Sequence, residues 1–300
     1  MQMNEVIECC SNNKVKMVSA RQRSHIAENG SDVAFSSNVH QYRDAHCQQA
    51  EDMLVVETPV ALSYNGISHV VLMCTNNDLE ELAVGFSLTE GIIDNYRDIH
   101  DIEVVPSCNG IELRIELANR CLHKLKQLKR NMVGRTGCGI CGTESLDRFS
   151  KPIIPLDFNV KLDISSIDGA LAQLREHQAL NQLTGATHAA AYLSASGKLV
   201  AIYEDVGRHI ALDKLIGYIC KHGLSGGAIL VTSRASYEMV QKTLLAGIEV
   251  LLAISAATEM AVKLADANNL TLAGFCRPGR ANVYSHVHRL EQAKADVHQP

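Results

Sequence analysis

No stretch of this sequence approaches the ~18 consecutive apolar side chains that a membrane helix needs, so no helical span is expected. The residues from Met1 to Arg23 also lack the apolar centre of a secretory signal, and the chain is expected to be cytoplasmic, without membrane insertion. There is no excess of basic residues: the formal charge is -5 and the pI is near 6.2. A chain built to coat nucleic acid is thereby excluded, and any basic site must be local. Gly-x-x-x-x-Gly-Lys-Ser/Thr and Gly-x-Gly-x-x-Gly are both missing, which removes the P-loop and Rossmann assignments. One Cys-x-x-Cys is present, but there is no second one and no His-x-x-x-His to complete a structural zinc site around it.

Hydrophobic residues make up 46% of the 300, enough for one large α/β domain or two lobes. The ten cysteines are scattered, which fits free thiols in a reducing compartment rather than a disulfide framework. Residues 1–52 are rich in Gln, Ser, Asn, Arg and His without periodicity, and read as a poorly ordered extension. From there Pro59–Tyr64 and Ile67–Leu72 flank Asn65-Gly66, the signature of a tight hairpin whose two turn positions need positive φ. Asp78 stands at an N-cap position before Leu79, Leu82, Ala83 and Phe86 at helical spacing. Strands over 102–105 and 111–117 and a basic helix over 118–130 complete a smaller N-terminal α+β lobe, residues 53–150.

Residues 151–300 form the second lobe. Ile167, Leu171, Leu174 and Leu180 mark an amphipathic helix, and 188–193 with 198–203 a hairpin. Helices over 210–220, 237–246 and 258–267 then alternate with strands over 227–232, 250–254 and 271–275, as in crossover units. The fold class expected is α/β, a mixed, mostly parallel sheet covered by helices.

The motif that most directly carries chemistry is Gly137-Cys138-Gly139-Ile140-Cys141-Gly142. Two thiols at this spacing can share a metal, form a disulfide or pass sulfur, so the context has to choose. Arg120, Lys124, Lys126, Lys129, Arg130 and Arg135 precede the pair, and no acid lies between Glu116 and Glu144. Positive potential favours the thiolate, the nucleophilic form, although the same basic run also reads as a solvated helix face. A zinc deaminase is disfavoured, because His-x-Glu is absent and a glycine precedes Cys138.

A second candidate lies where strands end and helices begin, a position that suits anions. Glu204 to His209, Ser233 to Ser236, Ser255 to Thr258 and Cys276 to Arg280 all fall there. Arg208, Arg234 and the Arg277/Arg280 pair are the side chains best matched to phosphate oxygens. Each segment also has a plainer reading: Ser236 and Thr258 as caps, Asp205 with Arg208 as a local salt bridge, His209 as a core histidine.

The chain resembles the FdhD sulfur-carrier family over roughly residues 55 to 290. The resemblance is carried by Asn65-Gly66, Leu82 to Phe86 with Glu90-Gly91, the thiol loop, Thr184 to Ala190, Glu204 to His209 with Asp213-Lys214, Ser233-Arg234 with Ser236 and Glu238 to Val240, and Gly274 to Tyr284. It implies a cytidine-deaminase-like fold without zinc chemistry, a homodimer, and a role in formate dehydrogenase activity. Persulfide sulfur from a cysteine desulfurase would pass through Cys138, with Cys141 assisting, to the molybdenum bis(molybdopterin guanine dinucleotide) cofactor. Phe275, Cys276, Arg277, Pro278, Gly279 and Arg280 would contact that cofactor, and Arg208, His209, Ser233 and Arg234 are the further binding candidates. The chain departs from the family pattern at Ile210, at Thr232-Ser233 before Arg234, and at Ala257. The alternative is a cofactor-binding chaperone whose two thiols are structural or hold zinc.

Overall fold

The structure is a computed structural model and describes residues 33–133 and 153–291, with side chains over 33–126 and 153–291. Its first feature corrects the expectation of a poorly ordered extension over 34–52. Strand β1 (Ala34–Arg43) pairs antiparallel with β2 (His46–Val55) through an unbroken register. The turn residues Asp44 and Ala45 both have positive φ, 49° and 65°, the twist a two-residue hairpin turn requires. Most side chains of the ribbon are exposed, so no core-facing stripe marked these strands in the sequence.

Strands β3 (Thr58–Tyr64) and β4 (Ile67–Cys74) follow, joined through Asn65 and Gly66 at φ 46° and 75° as expected. Strands β5 (Ile99–Ser107) and β6 (Gly110–Leu117) complete a four-stranded sheet in the order β4-β3-β6-β5. Asn65 also ties the turn to β6, accepting from the Leu117 amide at 2.9 Å. Helix α1 (Leu79–Thr89) covers one face, burying Leu82 and Phe86 on Leu62, Leu113 and Ile115. Asp78 precedes it with left-handed backbone, and its side chain makes no capping bond. Helix α2 (Asn119–Val133) leaves the end of β6.

Further along, β7 (Leu162–Asp163) precedes α3 (Ser166–His177) and α4 (Ala179–Thr184). The single helix expected there is broken at Gln178, whose φ and ψ of -82° and 66° are not helical. Glu204 satisfies the new N-terminus by accepting from the Leu180 and Asn181 amides at 3.0 and 2.8 Å.

The main sheet comprises β8 (His188–Leu193), β9 (Leu199–Asp205), β10 (Ala228–Val231), β11 (Val250–Ala253), β12 (Thr271–Arg277) and β13 (Arg280–Ser285), in the order β13-β12-β11-β10-β8-β9. Only the β10–β11 and β11–β12 pairings are parallel. The β8–β9 pairing is the expected antiparallel hairpin, while the antiparallel β10–β8 and β12–β13 pairings correct the expectation of a mostly parallel sheet. The cause is local: β8–β9 and β12–β13 are closed by tight turns, and only a crossover helix returns a strand parallel. Helices α5 (Arg208–His222), α6 (Tyr237–Leu245) and α7 (Glu259–Ala267) line one face over Leu212, Ile216, Ile229, Met239 and Leu251. Helix α3 covers the other through Ile167, Leu171 and Leu174 on Leu230 and Leu252. With both faces covered, the central strands are uniformly apolar. A last short strand, β14 (Leu290–Glu291), pairs with β7.

The two sheets meet through α1 and α5. A Cβ at Gly85 would lie 1.8 Å from the Asp213 carbonyl oxygen, and one at Gly217 would lie 1.9 Å from that of Glu81, so only glycine permits this crossing. Among the described residues no helix is long and apolar enough to cross a membrane, and no group of three or more His, Cys, Asp or Glu is placed to hold a metal ion.

Candidate functional site

Cys138 and Cys141 lie outside the described residues. The start of the basic helix leading to them is described, and it qualifies the reading of an acid-free approach. Arg120 pairs with Asp98, and Lys124 with Asp94 at 3.0 Å. These acids come from the segment before β5, about twenty to thirty residues upstream, where an inspection of the local sequence does not find them. Burial alone would raise the Asp98 carboxyl, but the Asp94 and Asn95 amides and Arg120 outweigh it and hold Asp98 below the usual range.

The other candidate is assembled at the carboxyl ends of β10, β11 and β12. The chain stays hydrogen-bonded beyond these strands: Ile254 N–H to Val231 O at 2.9 Å, Ala235 N–H to Ala256 O at 3.0 Å, Thr258 N–H to Ala235 O at 3.0 Å and Phe275 N–H to Ser255 O at 2.9 Å. The segments 232–236, 254–258 and 275–277 therefore form one continuous floor, and α6 and α7 rise from it. Thr258 caps α7, its hydroxyl accepting from the Ala261 amide. Ser236 stands before α6 but does not cap it; its Oγ is buried without a hydrogen-bond partner among the described residues.

Arg208 opens α5 beside this floor, and its Nε is likewise buried and unpartnered among the described residues. His209 Nε2 is 2.8 Å from Glu238 Oε2 on α6. His188, at the start of β8, places Nδ1 3.4 Å from Thr232 Oγ1. Burial, then the charge of Arg208, pushes the His188 pKa below its ordinary value. Burial also lowers that of His209; Glu238 pulls it upward, while Arg208, Lys242 and His188 add to the lowering. His188, Ser236, Glu238 and Lys242 were not singled out as binding residues in the sequence. His188 and Glu238 stand in segments that carry the family resemblance, Ser236 also in the strand-end segment Ser233 to Ser236, and Lys242, one turn further along α6, had no signal in the sequence.

Asp205 does not bridge to Arg208. Fully buried, its Oδ2 lies 2.7 Å from Lys214 Nζ and accepts from the Thr75 amide and hydroxyl at 3.0 and 2.8 Å, while Oδ1 accepts from the Gly207 amide at 3.0 Å. It thereby fixes the turn into α5 and joins it to the loop before α1. One turn on, Asp213 accepts from Lys242 at 2.9 Å and from Thr89 Oγ1 at 2.8 Å. Burial pushes the Asp213 carboxyl upward against the pull of Lys242.

The segment from Phe275 to Arg280 divides by exposure. Cys276 is fully buried, and burial pushes its thiol up to about 11, so it is neither a thiolate nor within reach of a ligand. The Arg277 guanidinium is committed to the Ile254 and Cys276 carbonyls. Gly279 donates to Asp168 at 3.0 Å and sits at φ 70° in the Pro278-Gly279 turn. Phe275, Pro278 and Arg280 are left exposed. Ser233 is buried and donates to the Arg234 carbonyl at 3.0 Å, while the Arg234 side chain is exposed. The arrangement offers arginines, hydroxyls and two helix starts to an anion, and no thiolate of its own.

Residues 55–291 match the sequence profile of the FdhD/NarQ family. The fold is similar to a crystal structure from Desulfotalea psychrophila described as a candidate formate dehydrogenase accessory protein. The TM-score is 0.70 at 23% identity, over 86% of this chain and all of that one.

Proposed function

The chain belongs to the FdhD/NarQ family, and from that membership we propose that it is a sulfur carrier in the maturation of formate dehydrogenase. The observation that carries the reading is the extent of the match, which includes both the thiol loop and the strand-end crevice in one sequence. Cys138 attacks the outer sulfur of a persulfide on a cysteine desulfurase. A new S–S bond forms on Cys138, the donor's S–S bond breaks, and the donor cysteine leaves as thiolate. Cys141 then attacks the inner sulfur of the Cys138 persulfide, and the outer sulfur departs as hydrosulfide toward the substrate. The two electrons come from the thiols, which close a Cys138–Cys141 disulfide that a dithiol reductant reopens.

The substrate taking up this sulfur is the molybdenum bis(molybdopterin guanine dinucleotide) cofactor, held by its phosphates in the crevice. Arg208 Nε and Ser236 Oγ, buried without a partner among the described residues, and the exposed Arg234 and Arg280 support this, since buried polar groups and exposed guanidinium groups suit phosphate oxygens. Incubating the reduced protein with cysteine desulfurase and cysteine should add one sulfur to its intact mass, and Cys138→Ala should abolish the addition. Unchanged loading of that variant removes Cys138 as the carrier.

A further inference from the structure

Helix α2 is the described chain that leads toward Cys138, which follows its last residue, Val133, by five positions. Its 15 residues span about 22 Å, so a tilt of about 10° at the root carries the far end by about 4 Å. That is more than the ~3.5 Å between atoms placed to react. The hold on the root of α2 therefore bears on any transfer that takes place just beyond its end.

The root is held from several sides. Before it, Asn65 accepts from the Leu117 amide at 2.9 Å and donates to the Leu117 carbonyl at 3.2 Å. Beneath it, Cys121 and Leu125 are buried in one core cluster with Ile92 and Ile93, which anchor the turn that carries Asp94 and Asp98. From that turn, the Asp98 carbonyl accepts from the Ala118 amide at 2.9 Å. Its carboxylate, on a side chain only 2% exposed, accepts from the Asp94 and Asn95 amides at 2.9 and 3.3 Å and pairs with Arg120. Asp94 reaches one turn further along the helix, to Lys124 at 3.0 Å. Arg120 and Lys124 lie on one face of α2, about 6 Å apart along its axis, so the two acids grip it at two points. Asp94 and Lys124 are 62% and 45% exposed, and an ion pair in water adds little to stability. What it adds is direction, because a helix fixed at two points tilts far less freely than one fixed at a single point.

We propose that Asp94 and Asp98 form a clasp that sets the direction of α2, acting as positioning residues for sulfur transfer at Cys138. The clasp rests on the carrier reading of Cys138 and adds to it the two acids that aim the carrier. It also runs against the expectation from charge alone. Removing an acid makes the approach to the thiols more positive, which favours the thiolate and would leave its attack as fast or faster. Removing a positioning acid slows it.

The test compares two rates at Cys138 in the full, reduced chain: sulfur loading from cysteine desulfurase and cysteine, and alkylation by iodoacetamide, each read by peptide mass. Asp98→Asn should load about tenfold more slowly or worse, as displaced reacting groups do. Asp94→Ala should load about threefold more slowly, as the loss of an exposed pair allows. Alkylation, which a small reagent performs from any direction, should keep the wild-type rate in both. Asp94→Glu should restore loading, and Asp94→Ala/Lys124→Ala should load no more slowly than the slower single variant, because both changes remove one link. The urea midpoint of Asp94→Ala should stay near that of the wild type, so this variant decides the matter even where Asp98→Asn folds poorly. Loading at the wild-type rate or faster in Asp94→Ala overturns the clasp and leaves the carrier reading standing, and so does alkylation slowed in step with loading. No sulfur on Cys138 of the wild-type chain overturns both.

Discussion

Residues Asp205 to Lys214 serve two regions in opposite ways. On the inner side, toward α1 and the loop before it, the polar groups are fully engaged: Asp205 with Lys214, Thr75 and Gly207, and Asp213 with Lys242 and Thr89. On the outer side, Arg208 Nε at the start of α5 and Ser236 Oγ before α6 are buried without a hydrogen-bond partner among the described residues. A stretch that reads as one polar motif in sequence is thus part joint and, on the reading proposed above, part receptor. Buried polar groups in native proteins are nearly always satisfied, and these two atoms are among those the proposed ligand would meet.

The largest effect that would sharpen this contrast is on the joint. Lys214→Met leaves Asp205 buried without its cation and should cost about 3–5 kcal/mol in urea unfolding; a loss below about 1 kcal/mol would mean the pair is not what fixes the turn. Next comes the helix crossing, where Gly217→Ala should cost about 1–3 kcal/mol or more by pushing α5 off the Glu81 carbonyl. On the receptor side the order reverses. Arg208→Gln should change stability by less than about 0.5 kcal/mol, yet weaken guanosine monophosphate binding by about 1.5–3 kcal/mol in calorimetry. Equal losses in both quantities would erase the distinction.

The smallest effect is the response to pH. His188 and His209 are both held below the ordinary value of ~6.5. Between the folded values and ~6.5 the unfolded chain binds more protons, so this contribution to stability is present above that window and is lost as pH falls through it. Melting temperature against pH should be flatter in a His188→Gln/His209→Gln double variant than in the wild type, and an unaltered curve would contradict the assignment.

Much of the fold was legible where local chemistry decides it. Asn65-Gly66 declared its hairpin through positive φ, and the apolar runs at 228–231 and 250–253 declared central strands. The β1–β2 ribbon was not, because it has backbone pairing but little hydrophobic patterning. The β8–β9 hairpin was legible at its turn after Leu193, whereas β13, which returns antiparallel after Arg277, was not expected as a strand. In the crevice the arginines could be picked out by type and position. The true partners of Asp205, however, lie at Thr75 and Lys214, and sequence proximity pointed to Arg208 instead. Through-space pairing likewise placed Asp94 and Asp98 on a helix whose own sequence is basic.

The sulfur-carrier claim is tested most directly by following labelled sulfur. Protein loaded from radiolabelled cysteine through the desulfurase is separated from the donor and incubated with inactive formate dehydrogenase carrying its cofactor. The account predicts that label leaves Cys138 and appears in the cofactor fraction as activity rises, and that Cys138→Ala supports neither. Activation by the Cys138→Ala protein, or activation with the label still on Cys138, would contradict it.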